Sequence, residues 1–191
     1  MNLKETIEKY VPYNEQEAKD KETMLKYINT FDDVLTRNNE FAHFTASSWV
    51  INKDRTKVMM IYHNIYKSWS WTGGHADGDP DLLNVAIREL KEETGVKNVK
   101  VIGDNPLSLE IMGVDGHIKR GKYVSSHEHL NLTYLMEVDE NEVTRIKEDE
   151  NSGVRWINVD EIKDAVTEKW VLEKIYNKEI NKVKEYQKKA K

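Results

Sequence analysis

The chain contains no cysteine. That excludes disulfides, thiolate catalysis, and zinc or iron–sulfur centres built on sulfur ligands, and it is compatible with a reducing compartment. An apolar run is also missing at the start. "MNLKETIEKY" is charged and reads as neither a signal peptide nor a membrane span, so a cytoplasmic location with no membrane partner is expected. Positive charge is in deficit: 29 Lys and Arg stand against 34 Asp and Glu, a formal net charge of -5 with a pI of about 5.7. Such a surface repels a phosphate backbone, which argues against polymeric nucleic acid as a partner. A small anionic ligand stays open, because a local metal outweighs global charge. Repeats and low-complexity linkers are absent as well. What is there is 191 residues, 33% charged and 38% hydrophobic, the profile of one folded domain with an appendage.

Residues 2 to 37 read as helical, with Met24, Leu25, Ile28, Phe31 and Leu35 near helical spacing. From Phe41 the pattern changes to strands. "HFTASSWVI" and "KVMMIYH" are rich in β-branched and aromatic residues, and "NKDRT" between them reads as a hairpin turn. "SWSWTGG" reads as a further strand ending at its glycines, followed by a helix over 80–94. "VKVIG", "LSLEIMGV" and "HLNLTYLMEV" read as strands and "VDEIKDAV" as a short helix. A longer helix is expected over 168–188, with Leu172, Ile175, Tyr176, Ile180 and Val183 on its apolar side. This order predicts an α+β fold, a mixed sheet sandwiched by helices. Residues 1–40 are expected as a helical extension packed on a domain spanning 41–191.

The stretch "GGHADGDPDLLNVAIRELKEETGV", residues 73–96, concentrates the chemistry. Asp79 as N-cap and Pro80 at the first helical position predict a helix start, and Gly95 predicts its left-handed stop. Leu83, Ala86, Ile87, Leu90 and Thr94 would form the buried side. Glu89, Glu92 and Glu93 fall at i, i+3 and i+4 and would share another, each close like-charge pair costing roughly 0.2–0.5 kcal/mol unless neutralised. Arg88 stands i,i+4 from Glu92 and would offset part of this. By itself the pattern also suits a solvated acidic face. Gly73 and Gly74 just before it allow close backbone approach to a ligand, and oxygen donors clustered on a rigid helix suit a Mg²⁺-type cation facing phosphate.

This run resembles a Nudix box, G-x5-E-x7-R-E-U-x-E-E-x-G-U, where U is aliphatic. Gly74, Arg88, Glu89, Leu90, Glu92, Glu93, Gly95 and Val96 match at the required spacing, and Pro80 stands where the first glutamate belongs. The resemblance implies an α/β/α sandwich from about Phe41 to Val166. It also implies hydrolysis of a nucleoside diphosphate linked to another moiety, with Mg²⁺ or Mn²⁺ as cofactor. On it, Glu89, Glu92 and Glu93 ligate metal, Arg88 orients the carboxylates, and Gly73 and Gly74 approach the phosphates. The family's first glutamate supports the arginine and the metal site; Asp77, Asp79 or Asp81 would take over that support here. A catalytically silent nucleotide sensor is the alternative that Pro80 raises, while the related diphosphate isomerases need a cysteine that this chain lacks. A homodimer is compatible with the resemblance.

The general base has two candidates: Glu93, and a carboxylate of the segment Glu148–Asp149–Glu150, of which Glu150 is favoured. His127 and His129 lie two apart at a strand start, so they point the same way, toward a phosphate, a metal or simply the surface. His75, directly after the glycines, is expected near the site as a substrate contact. Trp69 and Trp71 share a strand face and would stack on a base or fill the core.

Overall fold

A computed structural model describes residues 3–119 and 121–189. Residue 2, included in the expected N-terminal helix, lies outside these. The N-terminal segment is two helices, α1 (Leu3–Lys9) and α2 (Glu15–Thr30), not one continuous helical run to 37. Pro12 lies between them, and α2 restarts at Asn14, whose side chain accepts the Glu17 N–H at 2.9 Å.

Strands β1 (Ala42–Ile51) and β2 (Lys57–His63) form the expected hairpin. They pair directly only at Val50↔Met59 and Ile51↔Val58, then part. The gap is filled by β3 (Ser68–Ser70) on β2 and β4 (Thr72–His75) on β1. "SWSWTGG" is therefore two strands that change partner at Trp71. Helix α3 (Leu82–Thr94) follows, then β5 (Lys100–Val101), β6 (Ser108–Val114) and a separate hairpin of β7 (His117–Lys119) and β8 (Lys122–Val124), which the sequence reading did not foresee. β9 (His127–Glu137) runs parallel to β1 along its whole length, pairing His43 with His129, while β5 and β6 flank its other edge. β10 (Asn151–Asn158) closes the far edge against β2. A 3-10 turn and α4 (Ile162–Ala165) come next. The C-terminal helix then starts as α5 (Lys169–Val171), passes through a π-helical turn (Leu172–Tyr176) and continues as α6 (Asn177–Lys189).

Alternation along the strands divides the core between the two faces of the sheet. Phe44, Ala46, Val50, Leu130, Leu132 and Met136 face α3 and the N-terminal helices, meeting Val85, Ala86, Leu90, Ile7 and Met24. Trp49, Ile51, Met60 and Leu135 face the C-terminal helices, meeting Ile162, Ile175, Tyr176 and Val183. The mixed sheet between helical layers is the α/β/α sandwich expected, with the N-terminal helices packed on it. The second face also buries a polar band beside its apolar part. The Thr45 and Ser47 hydroxyls both donate to Asn131 Oδ1 there, and Asn131 Nδ2 and the Thr133 hydroxyl donate to Glu110. Lys178 stands 3.2 Å from Glu17 and 3.1 Å from Glu110, and Lys182 stands 2.6 Å from Glu17. Among the described residues no helix is long and apolar enough to cross a membrane.

Candidate active site

The site is built where β4 passes the C-terminal half of α3. The helix begins two residues later than its composition suggested. Asp81, not Asp79, is the N-cap, accepting the Asn84 N–H at 3.1 Å, so Pro80 precedes the cap instead of opening the helix. Asp79 is used differently: its carboxylate accepts the Asp81 N–H at 2.9 Å and stands 3.6 Å from Arg88. An aspartate beside Pro80 thus meets the arginine. Arg88 also reaches Glu89 at 3.4 Å and does not make the i,i+4 pair with Glu92, which instead meets Lys147 at 3.4 Å. Gly95, with φ 76°, ends the helix in the left-handed conformation as expected.

The inward face of α3 is carried by Leu82, Val85, Ala86 and Leu90, with Leu83 and Ile87 at its margin. This rotation turns the three glutamates into different environments. Glu92 is open. The Glu89 side chain is 15% exposed. Glu93 is buried at 3% and accepts the Gly73 N–H at 3.0 Å. Burial holds the Glu93 carboxyl well above the usual range, against the Gly73 hydrogen bond and with help from the nearby Glu150 and Glu89 charges. Burial likewise raises Glu89, with Glu92 adding to it and Arg88 opposing. Gly74 is needed for this packing: a Cβ there would meet Glu89 Cδ at 2.5 Å.

The segment before β10 brings in the fourth carboxylate. This segment and the first residue of β10 close the helix end, since the Arg145 backbone N–H donates to the Thr94 carbonyl at 2.7 Å and the Asn151 side-chain Nδ2 donates to the Glu93 carbonyl at 2.9 Å. Docked in this way, the segment places Glu150 close enough to raise Glu93, while Lys147 lies 3.0 Å from Glu150. Burial lowers the Lys147 ammonium, but the Glu150 and Glu92 pairs outweigh it and raise it overall. Gly73, Arg88, Glu89, Glu92, Glu93 and Glu150 therefore converge. Lys147 and Asn151 were not singled out by sequence reasoning, and no periodicity marks them.

The profile of the NUDIX domain matches residues 42–177. The chain belongs to the Nudix family. An RNA pyrophosphohydrolase of Pelagibacter ubique (strain HTCC1062) is 32% identical over 123 residues, covering 62% of this chain and 78% of the relative. A probable DHNTP pyrophosphohydrolase of Lactococcus lactis subsp. cremoris (strain MG1363) is 27% identical over 129 residues, covering 65% and 74%. Among solved structures, a NUDIX family hydrolase from Clostridium perfringens superposes with a TM-score of 0.55 at 21% identity, covering 73% of this chain and 96% of that one. The Nudix domain and these relatives make the chain a hydrolase acting on pyrophosphate bonds.

The histidines lie apart from the Nudix carboxylates. Because Gly74 faces α3, the next residue, His75, turns to the opposite face of the sheet. There it joins His127, His129 and His43, a residue the sequence reading passed over. Its signal was the polar alternation His43–Thr45–Ser47 along a strand buried from end to end. Trp69 and Trp71 both pack at the margin of the second apolar cluster. Trp69 lies edge-on to Tyr62 with the Arg155 guanidinium 4.2 Å from its ring centroid, and Trp71 lies edge-on to Tyr176.

Proposed function

We propose that this enzyme cleaves the diphosphate linkage of a nucleoside diphosphate joined to another moiety, by attack of water, with Mg²⁺ or Mn²⁺ held by Glu89, Glu92 and Glu93. The observation that carries the reading is the crowding of carboxylates under desolvation. Glu89 and Glu93 sit where burial opposes ionisation, reinforced at Glu89 by the Glu92 charge and at Glu93 by the Glu150 and Glu89 charges. The donor set fits a hard divalent cation, since all its ligand atoms are oxygens, fixed on one helix. When bound, that cation supplies charge neutralisation for the diphosphate and acidifies a water. The chain's own residues do the rest. Arg88, standing between Asp79 and Glu89, orients the carboxylates. The Gly73 N–H pins Glu93 in place. Gly73 and Gly74 let backbone approach the phosphates. Glu150, on the open side of the cluster, accepts the proton of the attacking water, with Lys147 holding its carboxylate. The two curated relatives are named for different substrates, an RNA and DHNTP. The test is therefore a hydrolysis panel that includes 5′-triphosphorylated RNA beside nucleoside triphosphates, dinucleoside polyphosphates and nucleotide sugars. Each is run with Mg²⁺, with Mn²⁺ and with chelator. Turnover of a small nucleotide that the chelator abolishes is expected; turnover of RNA alone would reject the substrate class.

A further inference from the structure

We propose that His43, His75, His127 and His129 form a binding site for a transition-type divalent cation, with Zn²⁺ as the reference ion, separate from the carboxylate centre. Four of the chain's six histidines converge at this point, although they come from three strands. Their candidate ligand nitrogens all lie within 4.8 Å of one another. The convergence follows from register. His43 pairs directly with His129 across the parallel β1–β9 ladder, His127 lies two residues back on the same face, and His75 pairs with Thr45 one step along. The Nε2 atoms of His127 and His129 are 3.3 Å apart. Two nitrogens on one tetrahedral zinc, each about 2.0–2.1 Å from it, would stand roughly 3.4 Å apart.

The rings are also oriented for the task. His43 Nδ1 lies 3.0 Å from the Asn39 carbonyl oxygen and His127 Nδ1 lies 2.9 Å from that of Ser125. A carbonyl only accepts, so each Nδ1 carries the proton and each Nε2 presents its lone pair to the centre of the group. Backbone carbonyls behind metal-bound imidazoles commonly fix the tautomer in this way. His43 supplies the second, independent sign. It is 4% exposed, its Nε2 has no hydrogen-bond partner, and its ring centroid stands 5.0 to 5.3 Å from those of His75, His127 and His129. Buried polar atoms are nearly always satisfied, and a cation would satisfy this one.

The donor chemistry separates this site from the other. Imidazole nitrogens suit zinc, cobalt, nickel and copper, whereas Mg²⁺ selects oxygen. Four protein ligands complete a tetrahedron and leave no position for substrate, which is the arrangement of a structural site. The ion would tie the end of β4 to β1 and β9 from the face opposite α3. That same strand carries the two glycines that seat Glu93 and Glu89.

The experiment uses tag-free full-length protein stripped by chelator and titrated with Co²⁺. One equivalent should give the intense visible absorption of tetrahedral cobalt, bleached by Zn²⁺ and unaffected by excess Mg²⁺. His127→Gln and His129→Gln, at partly exposed positions, should each lose that band and weaken Co²⁺ binding by at least about tenfold. Glu92→Gln should keep it, so that failure of the carboxylate reading leaves this result untouched. Absence of stoichiometric binding in the wild type overturns the proposal. So does a band that survives in both histidine variants or vanishes in Glu92→Gln. Inorganic phosphate bound by the same histidines in protein that takes no Co²⁺ would make the cluster an anion site instead.

Discussion

The two adjacent glycines of β4 should respond to the same substitution in opposite ways. In Gly73→Ala the new methyl meets the Ala46 carbonyl oxygen at 2.6 Å and Ser47 Cα at 2.9 Å. Both are backbone atoms of β1, and Ser47 is the register partner of Gly73, so relief requires two paired strands to part. Overpacking of this kind costs roughly 1–3 kcal/mol. At about 2–4 °C per kcal/mol for a chain of this size, the melting temperature should fall by roughly 2–12 °C. In Gly74→Ala the obstacles are Glu89 Cδ at 2.5 Å and Cγ and Oε2 at 2.8 Å, the far part of a side chain that can swing aside. Stability should change by less than about 1 kcal/mol. The swing, however, removes a carboxylate from the group proposed to hold the metal, so turnover should fall at least about tenfold, some 1.4 kcal/mol of barrier. Thermal melting followed by circular dichroism, with phosphate release measured in parallel, reads both effects. If Gly74→Ala melts as low as Gly73→Ala yet keeps wild-type turnover, Glu89 is not a functional group and the packing argument fails.

Further outcomes follow from the same geometry. Asp81→Ala removes the observed N-cap and should cost about 1 kcal/mol, whereas Pro80→Ala should cost less, since Pro80 lies ahead of the cap; the reverse order of melting temperatures would restore Asp79 as the cap. Lys147→Gln takes the internal cation away from Glu92 and Glu150, so the metal-free protein should melt lower and gain more from added Mg²⁺ than the wild type does; equal gains would show that Lys147 and the ion do not share ligands. Burial raises the Glu17 carboxyl, but Lys182 and Lys178 outweigh this and hold it below its usual value. A depressed carboxyl contributes stability above its unfolded pKa of about 4.3 and loses it as pH falls through the folded value. Glu17→Gln should therefore cost about 3–5 kcal/mol at neutral pH and show a shallower acid limb; an unchanged melting temperature at pH 7 would contradict that pairing.

The parts of this molecule that could be read from sequence are those whose cause is local. Gly95 stops α3 because a left-handed residue is needed there, and the glutamate spacing marks the helix that carries the Nudix motif. The start of that helix was less legible. "DGDPD" offers several possible caps, and the choice of Asp81 leaves Asp79 to meet Arg88, a contact with a residue nine positions on. The strand break at Trp71 has no local sign. It occurs because β3 and β4 take different partners, which only the whole sheet decides. The inward turn of Glu93 reflects the exact phase at which α3 packs on β1 and β4, and that phase is a tertiary matter. The same holds for His43, brought to His129 across 86 residues by a parallel ladder. It also holds for Lys178, which reaches Glu17 from the other end of the chain.

Glu92→Gln and Glu93→Gln are the sharpest test of whether the α3 carboxylates form a metal-dependent hydrolytic centre. Each variant is assayed for diphosphate hydrolysis with Mg²⁺ and with chelator, and its melting temperature is recorded with and without the ion. The amide oxygen that Glu93→Gln introduces can still accept the Gly73 N–H, so neither fold should be lost. Wild-type turnover should disappear with chelator, each variant should fall at least about tenfold, and Mg²⁺ should raise the melting temperature by an amount that both variants reduce. Turnover indifferent to chelator, or undiminished in both variants, would contradict a metal-dependent centre.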